Sequence, residues 1–449
     1  MKKRILLIAF LSVSLQTFAQ QTITRDPEIA GLVSQISRDS LQAYVAKLVS
    51  FGTRHTLSST TDKKKGIGAS RQWVLSKFQE FARQSGGRMT ATIDTWTLKA
   101  DGKRVDKDHE IGNVMATLKG SDPADDRILL VSGHIDSRVT DVMNRTADAP
   151  GANDDASGVA AVMELARVMA KSSFPATIIF VAVSGEEQGL LGAEHLAERA
   201  VQEKWNLEAL LNNDIMGANN SNETNIIDNT RLRVFSEGIP AFEIDKSAAS
   251  IRQYGLENDG KARQLARYVK EVGERYVENL EVVMVYRNDR FLRGGDHTPF
   301  VTKGFAAVRF SEMNENFLHQ HQDLRTEKGV EYGDLIKFMD FEYLRKNTGI
   351  NLACLANLAK APAMPQTVTI EVSGLSNSST LRWAAPKSGK VKGYYVLMRE
   401  TYQPFWQKKF FTTDLKLTLP YSKDNYFFAV QAVSESGNES LPVIPTPQR

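Results

Sequence analysis

Cysteine is almost absent from this chain: Cys354 is the single one in 449 residues. An intramolecular disulfide is therefore excluded, and Cys354, set in an apolar segment, reads as a small core residue rather than a nucleophile. An excess of charge of one sign is missing too. Lys plus Arg number 56 and Asp plus Glu 53, a net charge of +3, which lacks the concentrated basic face of a nucleic-acid binder. Long hydrophobic runs are scarce, and no stretch beyond the N-terminus has the length and apolarity of a transmembrane helix, so no stable membrane anchor is expected. No period of 20 to 50 residues signals a solenoid. No His-Glu-x-x-His pair is present, which excludes the helical single-zinc protease signature.

What is present is an ordinary globular composition, 42% hydrophobic and 24% charged, in a chain long enough for two or more domains. Lys2, Lys3 and Arg4 precede a short apolar run, Ile5 to Leu15. Thr17-Phe18-Ala19 then offers small residues before Gln20. This is the pattern of a cleaved secretory signal over residues 1–19, too short to span a bilayer well. No cysteine follows the run, which excludes a lipid anchor there. Such a cysteine-poor chain fits a bacterial exported protein, periplasmic or extracellular.

Residues 20–360 alternate between helical and strand patterns. Arg127–Ser132 and Ala176–Ser184 carry nearly unbroken apolar runs, and Leu207–Asn212 reads as a further strand. Ala156–Ala170 has helical spacing of Val159, Val162, Met163, Ala166 and Met169. Continuous apolar strands separated by helices indicate an α/β domain whose mixed, largely parallel sheet is covered by helices on both faces. Gly217–Asp259 is Asn-rich and aperiodic and is expected to form loops, whereas Gly333–Leu358 is expected to be helical. Pro362 and Pro365 mark a linker, 361–366. Residues 367–449 then break into seven short strands, the last at Pro442–Pro445, with turn signals such as Ser436-Gly437-Asn438. That predicts an all-β immunoglobulin-like sandwich.

The polar residues fall in telling places. His134 and Asp136 follow one apolar strand, Glu186 and Glu187 another, and Asp214 a third. Ligands gather outside the carboxyl ends of strands in α/β sheets. Asp154 and Asp155 open a helix, where its dipole favours negative charge, and His297 lies downstream in Gly294-Gly295-Asp296-His297-Thr298. Imidazole with carboxylates suits zinc. Two imidazoles and three carboxylates suffice for two ions if one carboxylate bridges them. Taken singly, each of these residues has a bland reading, as a helix cap, a turn former or a structural histidine.

Together, Ser132-Gly133-His134-Ile135-Asp136-Ser137, Pro150-Gly151-Ala152-Asn153-Asp154-Asp155, Ser184-Gly185-Glu186-Glu187-Gln188-Gly189, Asn213-Asp214-Ile215-Met216-Gly217 and Gly295-Asp296-His297-Thr298-Pro299-Phe300 resemble the di-zinc exopeptidases that include bacterial leucyl aminopeptidases, aminopeptidase Y and glutamate carboxypeptidase. The resemblance spans about residues 30 to 360. It implies one zinc on His134 and Asp214, a second on Glu187 and His297, and Asp154 bridging both. It further implies Glu186 as general base and Asp136 orienting His134 through its ring N–H. One variation is Asn153, where some relatives carry an acid. The C-terminal stretch resembles a fibronectin type III domain in its overall pattern.

The implied function is removal of the first residue from peptides or proteins with a free N-terminus. A carboxypeptidase or dipeptidase of the same family would need basic residues for a substrate carboxylate, and Arg231, Arg233, Arg287 and Arg290 are available in loops. A glutaminyl cyclase is also a relative by fold but uses one zinc, which the full two-metal set disfavours. From another class, the chain could be a binding or adhesion protein whose sandwich contacts a surface or glycan. His319 and His321 form a His-x-His pair and a second metal-binding candidate. His319 with Asp323 instead matches a loop that follows the metal site in relatives and suggests a role near the substrate. His55, His109 and His195 read as surface or structural residues, and Lys63-Lys64-Lys65 as a solvated face.

Overall fold

The computed structural model describes residues 25–238 and 247–448; the expected signal segment lies outside them. Three helices come first, α1 (Pro27–Ser34), α2 (Arg38–Val49) and α3 (Gly66–Ala82). The α/β unit continues through β1 (Met89–Leu98), β2 (His109–Leu118), β3 (Arg127–His134), α4 (Ala156–Met169), β4 (Thr177–Val183), α5 (Leu191–Gln202) and β5 (Asn206–Asn213). Then follow β6 (Arg231–Phe235), α6 (Ser247–Tyr254), α7 (Lys261–Tyr276), β7 (Glu281–Val285), α8 (Thr298–Thr302) and β8 (Ala307–Glu312). A small hairpin, β9 (Arg325–Glu327) and β10 (Val330–Tyr332), precedes the long α9 (Phe341–Lys360).

Eight strands form one sheet in the order β1-β2-β4-β3-β5-β8-β6-β7. Its centre, from β4 through β3 and β5 to β8, is parallel, while β1, β2 and the β6–β8 pairing are antiparallel. The sheet is mixed with a parallel middle, as the apolar runs required. Alternate side chains explain the two layers. Leu129 and Val131 of β3 join Ile178 and Phe180 of β4 in a core beneath α4 and α9, whereas Leu130, Ile179 and Val181 face α5 and α8. Burying each such side chain contributes about 1.5–3 kcal/mol. β3, β4 and β5 run parallel, so their carboxyl ends open on one edge.

Two stretches differ from expectation. Within Gly217–Asp259, β6 and α6 are regular. In β6 the alternation is real, since Leu232 and Val234 are fully buried. Arg231 and Arg233 on the opposite side disguise so short a strand. The expected helix from Gly333 starts only at Phe341, after a 3-10 turn at Ile336–Phe338. Asp340 sets that start by accepting from the Glu342 and Tyr343 amides at 3.0 Å each.

From Gln366 the chain is all-β, with β11 (Gln366–Glu371), β12 (Ser379–Ala384), β13 (Gly393–Glu400), β14 (Lys408–Thr412), β15 (Lys416–Leu419), β16 (Tyr426–Val433) and β17 (Thr446–Gln448). The sheets β15-β12-β11-β17 and β14-β13-β16 share a core of Val368, Leu381, Trp383, Val396, Phe428 and Val430, so they pack as a sandwich. The last ladder strand is Thr446–Gln448 rather than Pro442–Pro445, where Val443 makes a single bridge to Val430; the prolines leave too few donors for a ladder.

The sandwich is held to the α/β unit by buried charge. Asp259, just before α7, accepts from Arg267 at 2.9 Å and from Arg399 of β13 at 2.6 Å. Glu439 pairs with Arg275 of α7 at 2.9 Å. Removing one member of a buried ion cluster strands the others and costs about 3–5 kcal/mol. Asp259→Ala is therefore expected to lower the melting temperature of the whole chain, whereas Glu203→Ala, which breaks the surface pair with Arg199, leaves it within about a degree or two; differential scanning calorimetry checks both.

Candidate metal centre

The sheet edge gathers the chemistry. His134 ends β3, Asp214 follows β5, Glu186 and Glu187 follow β4, and Asp154 lies two residues before α4. Local sequence fixes each. Asp155 caps α4, accepting from the Gly158 amide at 2.8 Å, and its other oxygen accepts from the His134 amide at 2.9 Å. One buried carboxylate thus locks β3 to α4. A Cβ on Gly158 would lie 2.4 Å from that carboxylate and 2.5 Å from the Asn213 carbonyl, so only glycine fits. Asp334 holds the other side of the loop, accepting from the Asn153 amide at 2.9 Å and the Asp154 amide at 2.7 Å. The fully enclosed Arg54 guanidinium ties the same loop to β3 through the carbonyls of Ile135, Pro150 and Gly151. The Asp154–Asp155 peptide is cis.

Asp154 sits at the centre. Its Oδ1 is 3.0 Å from His134 Nε2, and its Oδ2 is 3.0 Å from His321 Nε2. Asp214 Oδ1 lies 3.7 Å from the same His134 nitrogen, and Glu187 Oε1 lies 2.9 Å from His321 Nε2. Two donor groups result, His134 with Asp154 and Asp214, and Asp154 with Glu187 and His321, each with its ligand atoms within 4.8 Å of one another.

Four of the five ligands expected from the sequence are brought together, and His297 is not among them. Its Nε2 is bonded to the Asn288 carbonyl at 2.8 Å. It sits at the start of α8, and burial pushes it down to about 4. His321 stands where His297 was expected. Its backbone adopts φ 54°, a left-handed conformation unfavourable for a residue with a Cβ. The nearby loop holds it there through Asn316, which accepts from the Leu318 amide, and Gln320, which donates to Asp154 Oδ2 at 3.0 Å. The sequence signal was the His-x-His pair. His319 itself stacks on Phe338 at 3.7 Å between ring centres.

Asp136 also differs in detail from expectation. His134 Nδ1 is 3.1 Å from the Asp136 main-chain carbonyl and 3.7 Å from its carboxylate, so the carbonyl is the nearer partner. The carboxylate instead accepts from the amides of Gly185, Glu186 and Glu187 and from the Thr56 hydroxyl. It shapes the loop that carries Glu186 and Glu187. Arg309, missed by sequence reasoning, is fully buried and lies 3.1 Å from Asp214 Oδ2 while gripping Asp289. It leaves Asp214 Oδ1 turned to the site. His55 is structural as expected, bonded to the Val142 carbonyl, and His195 stacks on Trp96.

Electrostatics show that the cluster fits a cation. Burial works against a charged His134, yet Asp155, Asp136, Asp154 and Asp214 hold it well above its ordinary value. Burial likewise opposes a charged His321, but Glu187 and Asp154 lift it to about 10. Glu187 Oε1 is buried without a well-angled hydrogen bond. So many carboxyls around two imidazoles call for positive charge between them, in a donor set of N and O atoms that suits zinc. Burial, reinforced by Asp214, Glu187 and Asp296, pushes Glu186 well above the usual carboxyl range, as suits a group that must carry a proton.

Comparisons with known proteins identify the family. The model of peptidase family M28 matches residues 113–339. A probable zinc metalloprotease of Leptosphaeria maculans is 45% identical over 94% of this chain and 97% of its own length. Another, of Pyricularia oryzae, is 44% identical over 94% of this chain and 85% of its own. Among solved structures, the LapA aminopeptidase of Legionella pneumophila superposes with a TM-score of 0.52 at 19% identity, covering 75% of this chain and 76% of that one. A leucine aminopeptidase precursor of Bacteroides thetaiotaomicron gives 0.51 at 17% identity, covering 72% and 98%; at such identity these share the fold.

Replacing His321 and replacing His297 should separate the two candidates cleanly. His321→Ala is expected to lower bound zinc, measured by atomic emission after exhaustive dialysis, by about one ion per chain. His297→Gln is expected to keep the wild-type metal content. The fold, the assembled donor set and the relatives together place this chain in peptidase family M28 as a zinc-dependent metallopeptidase.

Proposed function

We propose that the protein is an exported aminopeptidase that uses two zinc ions to remove the N-terminal residue from peptides. The observation that carries the reading is a pair of donor groups sharing Asp154 in an open cleft that also holds Glu186. On one side of Asp154 and Gln320 lies the open cleft with Glu186, Glu187, Asp214 and His321. On the other lies a more enclosed pocket where Glu312, Glu315 and Asp334 meet apolar Ile215, Phe338 and Met339. The aminopeptidase folds that superpose on this chain support the same reading, and the N-terminal signal pattern supports export.

His134 and Asp214 would hold one ion, Glu187 and His321 the other, and Asp154 would present one oxygen to each. When bound, the ions supply an acidified water and polarise the scissile carbonyl. Glu186 would serve as general base and then general acid, its carboxyl accepting a proton and returning it to the leaving amine. Its place between Gly185 and Glu187, pinned by the Asp136 carboxylate, fixes its distance from the floor of the cleft. Burial and neighbouring carboxyls keep the proton on Glu186 between the two transfers.

The carboxypeptidase alternative loses ground on the arginines it needs. Arg231 is paired with Asp228, and Arg233 and Arg290 with Glu315. Arg287 lies over Phe291. Arg231, Arg233 and Arg290 are thus already paired with carboxylates.

The test is a peptide with a free amine beside its N-acetylated copy. Only the free peptide should be cleaved, chelator should abolish cleavage, and zinc should restore it. Glu186→Ala should lose about 10²–10⁴ in kcat with metal content intact. Equal cleavage of the acetylated peptide would overturn the reading.

A further inference from the structure

Four arginines line the cleft together with Asp154, Glu186, Glu187 and Asp214, and three of these arginines have no carboxylate partner among the described residues. Arg104 comes from the β1–β2 connection, Arg138 from the segment after β3, and Arg293 from the loop before α8. All three line the same opening as Glu186 and His321. Arg104 donates to the Glu187 main-chain carbonyl at 2.7 Å. Arg138 donates to the carbonyls of Val139 and Thr140. Carbonyls orient a guanidinium without neutralising it. Arg293 is exposed. A fourth arginine of the opening, Arg290, is already neutralised by Glu315 at 2.6 Å and by Asp289.

Surface arginines are ordinarily solvated singly, and one alone would mean nothing. Here three loops distant in sequence deliver three uncompensated guanidiniums to one rim. Like charges held together repel, and an anion seated among them relieves that repulsion. Guanidinium also matches carboxylate with paired, charge-assisted hydrogen bonds. The polarity of the cleft places this rim. On the aminopeptidase reading the first residue is held at the donor groups, so the rest of the peptide leaves through the opening that these arginines line.

We infer that Arg104, Arg138 and Arg293 form a carboxylate-reading rim that selects substrates bearing a negative charge just beyond the scissile bond. The charge is a carboxylate in either of two forms, the C-terminus of a dipeptide or the side chain of an acidic second residue. This inference rests on the aminopeptidase reading, because that reading sets which end of the peptide lies over the rim.

The test uses full-length zinc-loaded protein and pooled dipeptides in which the first position is an equimolar mixture of all residues, so that first-residue preference drops out. The pools are X-Ala and X-Ala amide, and X-Asp amide and X-Asn amide. The inference expects kcat/KM for at least one carboxylate pool to exceed its neutral counterpart by about tenfold, mostly in KM and diminishing with added salt. A gap in the first pair only assigns the terminal carboxylate, and a gap in the second pair only assigns the acidic side chain. In Arg104→Ala/Arg138→Ala/Arg293→Ala the ratio should collapse towards one, and the triple lysine variant should restore part of it. Equal hydrolysis within both pairs by the wild type overturns the inference and leaves the aminopeptidase reading standing. A ratio unchanged in the alanine variant also overturns it. No hydrolysis of any pool by zinc-loaded protein overturns the aminopeptidase reading, and the inference with it.

Discussion

Asp154 lies between two imidazoles with one oxygen 3.0 Å from each, and the rest of the site is arranged to hold it there. A buried carboxylate with further carboxyls close by is costly unless its charge is met. The imidazoles meet part of it, and bound zinc would meet the rest. The backbone around Asp154 is correspondingly over-determined. Asp334 takes the amides at 153 and 154, Asp155 ties β3 to α4, and Arg54 clamps the carbonyls at 150 and 151. These groups touch no substrate, yet they decide where the central oxygens point.

The same logic runs outward from the sheet edge. Arg309 couples Asp214 to Asp289, and Asp289 belongs to the loop that carries Arg290 and Arg293 into the cleft. The base of that loop meets the C-terminal sandwich, where the Tyr286 hydroxyl donates to the Pro404 carbonyl at 3.1 Å. Arg263 stacks on the Tyr286 ring at 3.8 Å. The sandwich therefore braces a wall of the cleft as well as α7. Removing it would expose Asp259, Arg267 and Arg275 together, so loss of activity on its deletion would not by itself reveal a separate binding role.

Much of this was legible in the sequence because parallel strands advertise themselves. Unbroken apolar runs ending in His134, Glu187 and Asp214 place those side chains on one edge, and the pair at 154–155 reads as a helix start. The fifth member of the donor groups, His321, was legible only as a candidate. His297 sits in a motif with strong local character, whereas His321 lies in an aperiodic loop whose path depends on hydrogen bonds from Gln320 and Asn316. Spacing cannot tell which of two distant histidines reaches the site. Arg54, Arg309 and Asp334 were invisible for a related reason, since a buried ion contact is made by tertiary neighbours and leaves no periodic trace. β6 was hidden because two of its five residues are arginines, although Leu232 and Val234 point inward.

The central claim is that Asp154 is shared by two metal positions and that His321, not His297, completes the second. Anomalous diffraction from crystals of the zinc-loaded protein, recorded on both sides of the zinc edge, tests it most directly. The account predicts two peaks flanking the Asp154 carboxylate, one against His134 and Asp214 and the other against Glu187 and His321. A single peak, or a second peak against His297 with His321 turned away, would contradict it.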